Sequence, residues 1–249
     1  MVNIGHRPVL WHVMKYYAHF GHKDFILCLG HQSEVIKDYF LHYDECVSND
    51  FTLSQGGKKI NLANSDIDDW TISFVDTGRD STIQERLQAV ESYLEGEQMF
   101  LANYSDSLTD FHLPALISRF MREDKLAAFL CVKSSHTFHV VETAANGDVS
   151  SIKQVSEADV WLNGGYFVFR KDIFKYMDDG DNLVNGPFQK LIQENKLLAY
   201  KYDGFWACMD TFKEKQCLED LSSRGNAPWQ VWLNQKTADP TSNHGVHSG

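Results

Sequence analysis

The chain has 249 residues, of which 43% are hydrophobic, and carries a formal net charge of -11. That length fits one α/β domain or two small ones, with enough apolar material to bury a sizeable core. The acidic balance excludes a nucleic-acid surface, which needs a basic stripe. No apolar run approaches the ~20 residues that span a bilayer.

In chain order, Val9, Trp11, Val13, Tyr16 and Phe20 recur at helical spacing, predicting a helix over 8–20 that Gly21 ends. The run Asp24-Phe25-Ile26-Leu27-Cys28-Leu29 predicts a buried strand closed by Gly30, and Ser33 opens a second helix through Tyr43. This helix–strand–helix order is the middle of a doubly wound unit. Residues 50–69 are polar and glycine-containing, predicting a hairpin-like excursion. A strand over 70–78 runs into a polar loop, and a helix over 81–94 places Ile83, Leu87, Val90 and Leu94 on one face. Arg79 and Arg86 lie near that helix start, where they either reach a phosphate or are simply solvated.

The central stretch is Met99-Phe100-Leu101-Ala102-Asn103-Tyr104-Ser105-Asp106, an apolar run that stops in polar residues and an acid. Such a run reads as a short buried strand. Ligands of open α/β sheets sit beyond the carboxyl ends of strands, so Asp106 is placed where a carboxylate suits a hard cation such as Mg2+ shared with phosphates. The alternative is that Asp106 or Asp110 caps the helix that follows. A helix over 114–122, a strand over 127–132 and a hairpin over 138–155 around Asn146-Gly147 come next. A strand over 161–169 begins with Asn163-Gly164-Gly165. Glycine there signals either a close-approaching ligand or a bulge. Helices over 173–177 and 187–194, a strand over 197–202 and a helix over 211–224 complete the pattern. Just before that last helix, Asp210 is a second acid at an element end, and two such acids suit a metal that bridges phosphates.

The five cysteines (Cys28, Cys46, Cys131, Cys208 and Cys217) form no CxxC pair and read as free thiols of a reducing cytoplasm. The start also lacks the basic and apolar regions of a signal peptide. Eleven histidines show no HExxH or other tight ligand spacing, which argues against zinc. No internal repeat or linker is visible. Residues 1–233 read as one domain, and 234–249, poor in aliphatics, as a disordered tail.

Several segments together resemble the sugar-1-phosphate nucleotidyltransferases, and most closely their glucose-1-phosphate cytidylyltransferase branch. They include Ile4-Gly5-x-x-Pro8-Val9-Leu10-Trp11-His12-Val13-Met14-Lys15, Val75-Asp76-Thr77-Gly78, Tyr104-Ser105-Asp106, Asn163-Gly164-Gly165-Tyr166, Gly204-Phe205-Trp206, Met209-Asp210-Thr211 and Ala227-Pro228-Trp229. The resemblance implies a Rossmann-like mixed, mostly parallel sheet flanked by helices. It also implies a reaction in which a sugar 1-phosphate, glucose 1-phosphate favoured, attacks the α-phosphorus of a nucleoside triphosphate, CTP favoured, expelling pyrophosphate. By that likeness Asp106 and Asp210 hold Mg2+, and Tyr104, Asn163, Gly164 and Gly165 belong to the substrate pocket. Thr77, Gly78 and Arg86 lie beside the nucleotide.

Two departures accompany the match. The family begins with a strand and a Gly-Gly-x-Gly-x-Arg loop that cradles the triphosphate, and Met1 stands beyond both. The strand is expected to be central, so its neighbours near Ile26 and Leu101 are expected to lack a hydrogen-bonding partner. The family's Glu-Lys-Pro is replaced here by Lys153-Gln154-Val155. The other readings are a non-catalytic sugar-phosphate-binding or assembly module derived from such an enzyme, and a nucleotide-sugar glycosyltransferase with Asp106 to Asp110 as its metal motif. The aromatic-rich surface helices leave room for a homo-oligomer.

Overall fold

A computed structural model describes residues 1–133, 139–155 and 157–233. A two-residue ribbon, β1 (Asn3–Ile4) with β2 (Arg7–Pro8), leads into α1 (Val9–His19). Then come β3 (Asp24–Leu29), α2 (Ser33–Leu41), a hairpin of β4 (Phe51–Ser54) and β5 (Lys59–Leu62), β6 (Thr71–Asp76) and α3 (Ile83–Ala89). The middle holds β7 (Met99–Asn103), β8 (Ser107–Thr109), α4 (Leu113–Arg122), β9 (Ala127–Lys133) and the hairpin β10 (His139–Thr143) with β11 (Val149–Gln154). The last part is β12 (Trp161–Arg170), α5 (Pro187–Gln193), β13 (Leu197–Tyr202), β14 (Trp206–Cys208) and α6 (Phe212–Ser223).

The main sheet has the order β13-β9-β12-β7. β13 runs parallel to β9, and β12 is antiparallel to both β9 and β7, so β7, β9 and β13 point their carboxyl ends the same way. One face is covered by α1 and α4, whose Val13, Tyr16, Leu116 and Phe120 pack with Leu130, Val132, Tyr166 and Val168. On the other, Leu87 of α3 and Phe188 and Leu191 of α5 pack with Phe167 and Phe169. Helices on both faces explain why these strands are apolar throughout rather than alternating.

β3 and β6 form a separate parallel pair. Among the described residues β3 pairs only with β6, and β7 only with β12. The sheet is therefore divided between Ile26 and Leu101, and both strands keep partly exposed apolar side chains.

Several sequence readings need correction. The strand at Met99 breaks at Tyr104, and a second short strand, β8, begins at Ser107 and pairs antiparallel with β14. Both short strands escaped sequence reading because three-residue pairings carry no periodicity. Neither Asp106 nor Asp110 caps α4, whose N-cap His112 makes no side-chain cap bond. Asp110 instead accepts from the Tyr202 hydroxyl (2.5 Å) and the Phe205 N–H (3.0 Å). The helix expected over 81–94 ends at Ala89 and continues as a 3-10 turn, which leaves Ile83 38% exposed instead of on the buried face. The helix expected over 173–177 is likewise a 3-10 segment. Phe138 and the tail at 234–249 lie outside the described residues.

Candidate active site

The carboxyl ends of β7, β9 and β13 share one rim of the sheet, and Asp106 stands on it in the turn between β7 and β8. Ser105 supplies the tight turn with a positive φ of 70°, and its N–H donates to Asn103 Oδ1 at 2.6 Å. β14 brings the second acid to the same place. After Cys208 the chain leaves its pairing with Ser107, and the Met209 N–H donates to the Asp106 carbonyl at 2.9 Å. Burial raises the Asp106 carboxyl above its ordinary value, and the charge of Asp210 raises it further. Two acids 104 positions apart are thus brought to one end of the sheet.

Asp210 is exposed and directly precedes the capping box of α6, formed by Thr211 and Glu214. The Glu214 carboxylate accepts from the N–H groups of Asp210 (2.9 Å) and Thr211 (2.8 Å), while Thr211 Oγ1 accepts from the Glu214 N–H. Donor atoms of Cys208, Asp210 and Glu214 lie within 4.8 Å of one another, the group of metal-ligand type found among the described residues. Burial, then Glu214 and Asp210, push the Cys208 thiol up to about 12. A protonated thiol and a carboxylate engaged in capping make a poor soft-metal site. The Asp106–Asp210 pair, hard oxygen donors whose mutual repulsion a cation relieves, fits Mg2+ better.

The residues that the family likeness assigns to a substrate pocket cluster next to this rim. Asn163 Nδ2 donates to the Tyr104 hydroxyl (3.1 Å), and Asn163 Oδ1 accepts from the Gly165 N–H (3.0 Å). Tyr104 is held above its ordinary pKa by burial, with the Asp106 charge adding to it. The Trp206 indole N–H donates to the Gly164 carbonyl at 2.9 Å, tying this segment to β14. The register of β12 against β9 shifts between Asn163 and Phe167, so the bulge reading of the glycine pair is correct. Gly165 has φ +76°, and a Cβ there would lie 2.7 Å from Tyr104 Cδ2. Gly165→Ala is therefore expected to destabilise the fold by about 1–3 kcal/mol. An unchanged urea midpoint would show that Tyr104 moves aside without cost.

Thr77, Gly78 and Arg86 form a second group, at the carboxyl ends of β3 and β6. Arg86 Nη1 donates to Thr77 Oγ1 (2.8 Å), which in turn donates to the Leu29 carbonyl (2.9 Å). Arg86 also packs so tightly on Gly30 that a Cβ there would meet its guanidinium at 2.8 Å. Arg86 is therefore a fixed part of the loop, not a freely solvated charge, while the Thr77 hydroxyl is buried and engaged. No hydrogen bond joins this group to the Asp106 rim among the described residues.

Sequence reasoning gave no role to Lys133 or Lys201, and read Gly30 only as a strand end and Trp206 only as part of a family segment. Lys153 is exposed on β11 opposite Val140. By contrast, Lys133 lies opposite Trp161, and Lys201 and Asn163 both lie opposite Cys131. Cross-strand partners share a face, so two ammonium groups, 5.5 and 4.7 Å from the Trp161 ring, stand on the face that carries Asn163.

No protein-family model matches the chain. Among curated proteins, the glucose-1-phosphate cytidylyltransferase of Salmonella typhimurium is 34% identical over 234 residues, covering 93% of this chain and 90% of the relative. The probable glucose-1-phosphate cytidylyltransferase of Bacillus subtilis is 31% identical over 231 residues, covering 92% and 89%. Two solved structures share the fold. HddC from Yersinia pseudotuberculosis has a TM-score of 0.61 at 14% identity, with 88% of each chain covered. A putative glucose-1-phosphate thymidylyltransferase from Bacillus anthracis, in complex with a sucrose, has a TM-score of 0.58 at 14% identity, covering 89% of this chain and 85% of that one. With identity above 30% across nearly the whole length of both chains, this chain belongs to the glucose-1-phosphate cytidylyltransferase family of sugar-1-phosphate nucleotidyltransferases.

Proposed function

We propose that the chain transfers a cytidylyl group from CTP to glucose 1-phosphate, releasing pyrophosphate, with Mg2+ held by Asp106 and Asp210. The observation that carries this reading is the pairing of β8 with β14, continued by the Met209 N–H on the Asp106 carbonyl, which sets the two acids at one end of the sheet. When bound, the cation offsets the charge of the transferring phosphoryl group, the main source of catalysis in reactions of this type. The names of the curated relatives support the choice of CTP and glucose 1-phosphate.

The chain's own residues then orient the reactants. The Asn163-Gly164-Gly165 bulge and Tyr104 receive the sugar, with Lys133 and Lys201 lowering the cost of bringing a phosphate to that face. The Thr77-Gly78 turn, stiffened by Arg86, receives the nucleotide. Its setting in this reading is the cytoplasm, where five free thiols are at home. A second reading is a module that binds the sugar phosphate without turnover, since no hydrogen bond joins the Thr77-Gly78-Arg86 group to the Asp106 rim among the described residues.

One experiment separates them. Pyrophosphate release and calorimetry are followed with glucose 1-phosphate, Mg2+ and each of CTP, UTP and dTTP. Release with CTP above the others is expected. Binding of glucose 1-phosphate with no release from any nucleotide would replace the enzyme with the binding module.

A further inference from the structure

Two ammonium groups mark one end of the rim. β12 runs opposite to β9, so its first residues, Trp161 and Asn163, lie beside the last residues of β9 and β13. Lys133 is opposite Trp161, while Cys131 stands between Asn163 on one side and Lys201 on the other. The Lys133 and Lys201 ammonium groups are 5.5 and 4.7 Å from the centre of the Trp161 ring. That ring is held in place by its indole N–H, which donates to Asp159 Oδ1 at 2.6 Å. Lys201 therefore leans back across β9 toward β12. Burial raises the Cys131 thiol, and the Lys201 charge opposes that rise, as this placement requires. Among the described residues neither ammonium group forms an ion pair.

Both charges stand away from the acids. The strand order β13-β9-β12-β7 puts β12 between the lysine-bearing strands and β7, whose end leads to Asp106. At about 4.8 Å between neighbouring strands, β9 and β13 lie roughly 10 and 14 Å from β7. With the reacting phosphate beside Asp106 and the sugar on Asn163, Gly164 and Gly165, the far end of the sugar points toward β9 and β13. There it meets Lys133 and Lys201. Glucose offers those groups only neutral hydroxyls. A carboxylate or a phosphate at the same place gains charge-assisted hydrogen bonds. It also relieves the repulsion between two like charges that share one ring.

We propose that the site prefers a sugar 1-phosphate with a second anionic group at the end of the ring away from the reacting phosphate, and that Lys133 and Lys201, spaced by Trp161, select for it. This rests on the sugar-phosphate site proposed above and extends the acceptor beyond glucose 1-phosphate.

Calorimetry on the full 249-residue chain with Mg2+ compares glucose 1-phosphate, glucuronic acid 1-phosphate and glucose 1,6-bisphosphate. The parent chain is expected to bind at least one of the two doubly anionic probes about tenfold more tightly than glucose 1-phosphate, the effect of one hydrogen bond to a charged group. Which of the two binds better tells a carboxylate from a phosphate as the preferred group. Replacing both lysines, Lys133→Gln with Lys201→Gln, is expected to bring the ratio of Kd values to about one, whatever happens to the affinity for glucose 1-phosphate itself. Lys153→Gln removes one exposed charge from β11 and is expected to keep the parent ratio, which separates a local contact from general attraction. The proposal is overturned if the parent chain binds glucose 1-phosphate as tightly as both other probes. It is equally overturned if the double variant keeps the preference, or if Lys153→Gln abolishes it to the same extent. Failure of the underlying reading looks different. If no sugar 1-phosphate binds, the site and this preference fall together, whereas binding without pyrophosphate release from CTP removes the reaction and leaves the preference standing.

Discussion

Asp106→Asn is expected to remove turnover while raising the melting temperature at neutral pH. The Asp106 carboxyl is raised by its burial and by the charge of Asp210. A folded-state pKa above the unfolded one means that the folded state holds the proton more tightly. The stability contribution of this group is therefore largest at low pH and falls as pH rises through the raised value. At neutral pH the ionised Asp106 opposes folding, and asparagine, which never ionises, relieves that opposition. The variant is therefore expected to melt above the parent at neutral pH and to lose that advantage as the pH falls. Loss of one group that stabilises transition-state charge lowers kcat by roughly 10^2–10^3. Added Mg2+ should raise the melting temperature of the parent chain and leave the variant unmoved. A variant that melts lower and still releases pyrophosphate would make Asp106 a structural residue.

His12→Gln should flatten the acid side of the stability profile, the opposite sign of effect. His12 is 3% exposed, and burial is the leading cause that lowers its pKa to about 4. Its Nε2–H donates to the Ile4 carbonyl (3.1 Å), and its Nδ1 accepts from the Trp229 indole (3.4 Å), which fixes the neutral tautomer. A folded pKa below the unfolded one means that the unfolded chain takes the proton first as pH falls. The contribution is complete above about 6.5, declines on acidification and levels off below about 4. Over that interval roughly 3 kcal/mol is lost. Glutamine retains a donor and an acceptor but does not titrate. Urea denaturation at pH 7.5 and 4.5 gives the parent-minus-variant difference, which isolates His12 from the many carboxylates. Equal slopes for the two proteins would show that His12 is already charged or solvated in the fold.

The two predictions concern residues that were unequally legible in the sequence. Asp106 was visible because an apolar run that ends in an acid marks a buried strand and a candidate ligand position at its end. His12 was visible only as one of eleven histidines without metal-ligand spacing, and nothing in its neighbourhood predicts an indole donated from 217 positions away. Arg86 is a similar case. Its solvated reading followed from the weak worth of lone surface charges, whereas the fold immobilises it between Gly30 and Thr77.

By itself, the sequence determined the helices, the long strands and the hairpins, because these follow from periodicity, turn residues and caps acting over a few neighbouring positions. It also carried the family likeness that a third of identical residues confirms. Only the tertiary structure decided that β8 and β14 pair and draw Asp106 and Asp210 to one rim, and that Gly165 clears room for Tyr104. Such features depend on contacts between segments a hundred residues apart, whose free energy is set by packing and pairing in three dimensions and leaves no local pattern to read.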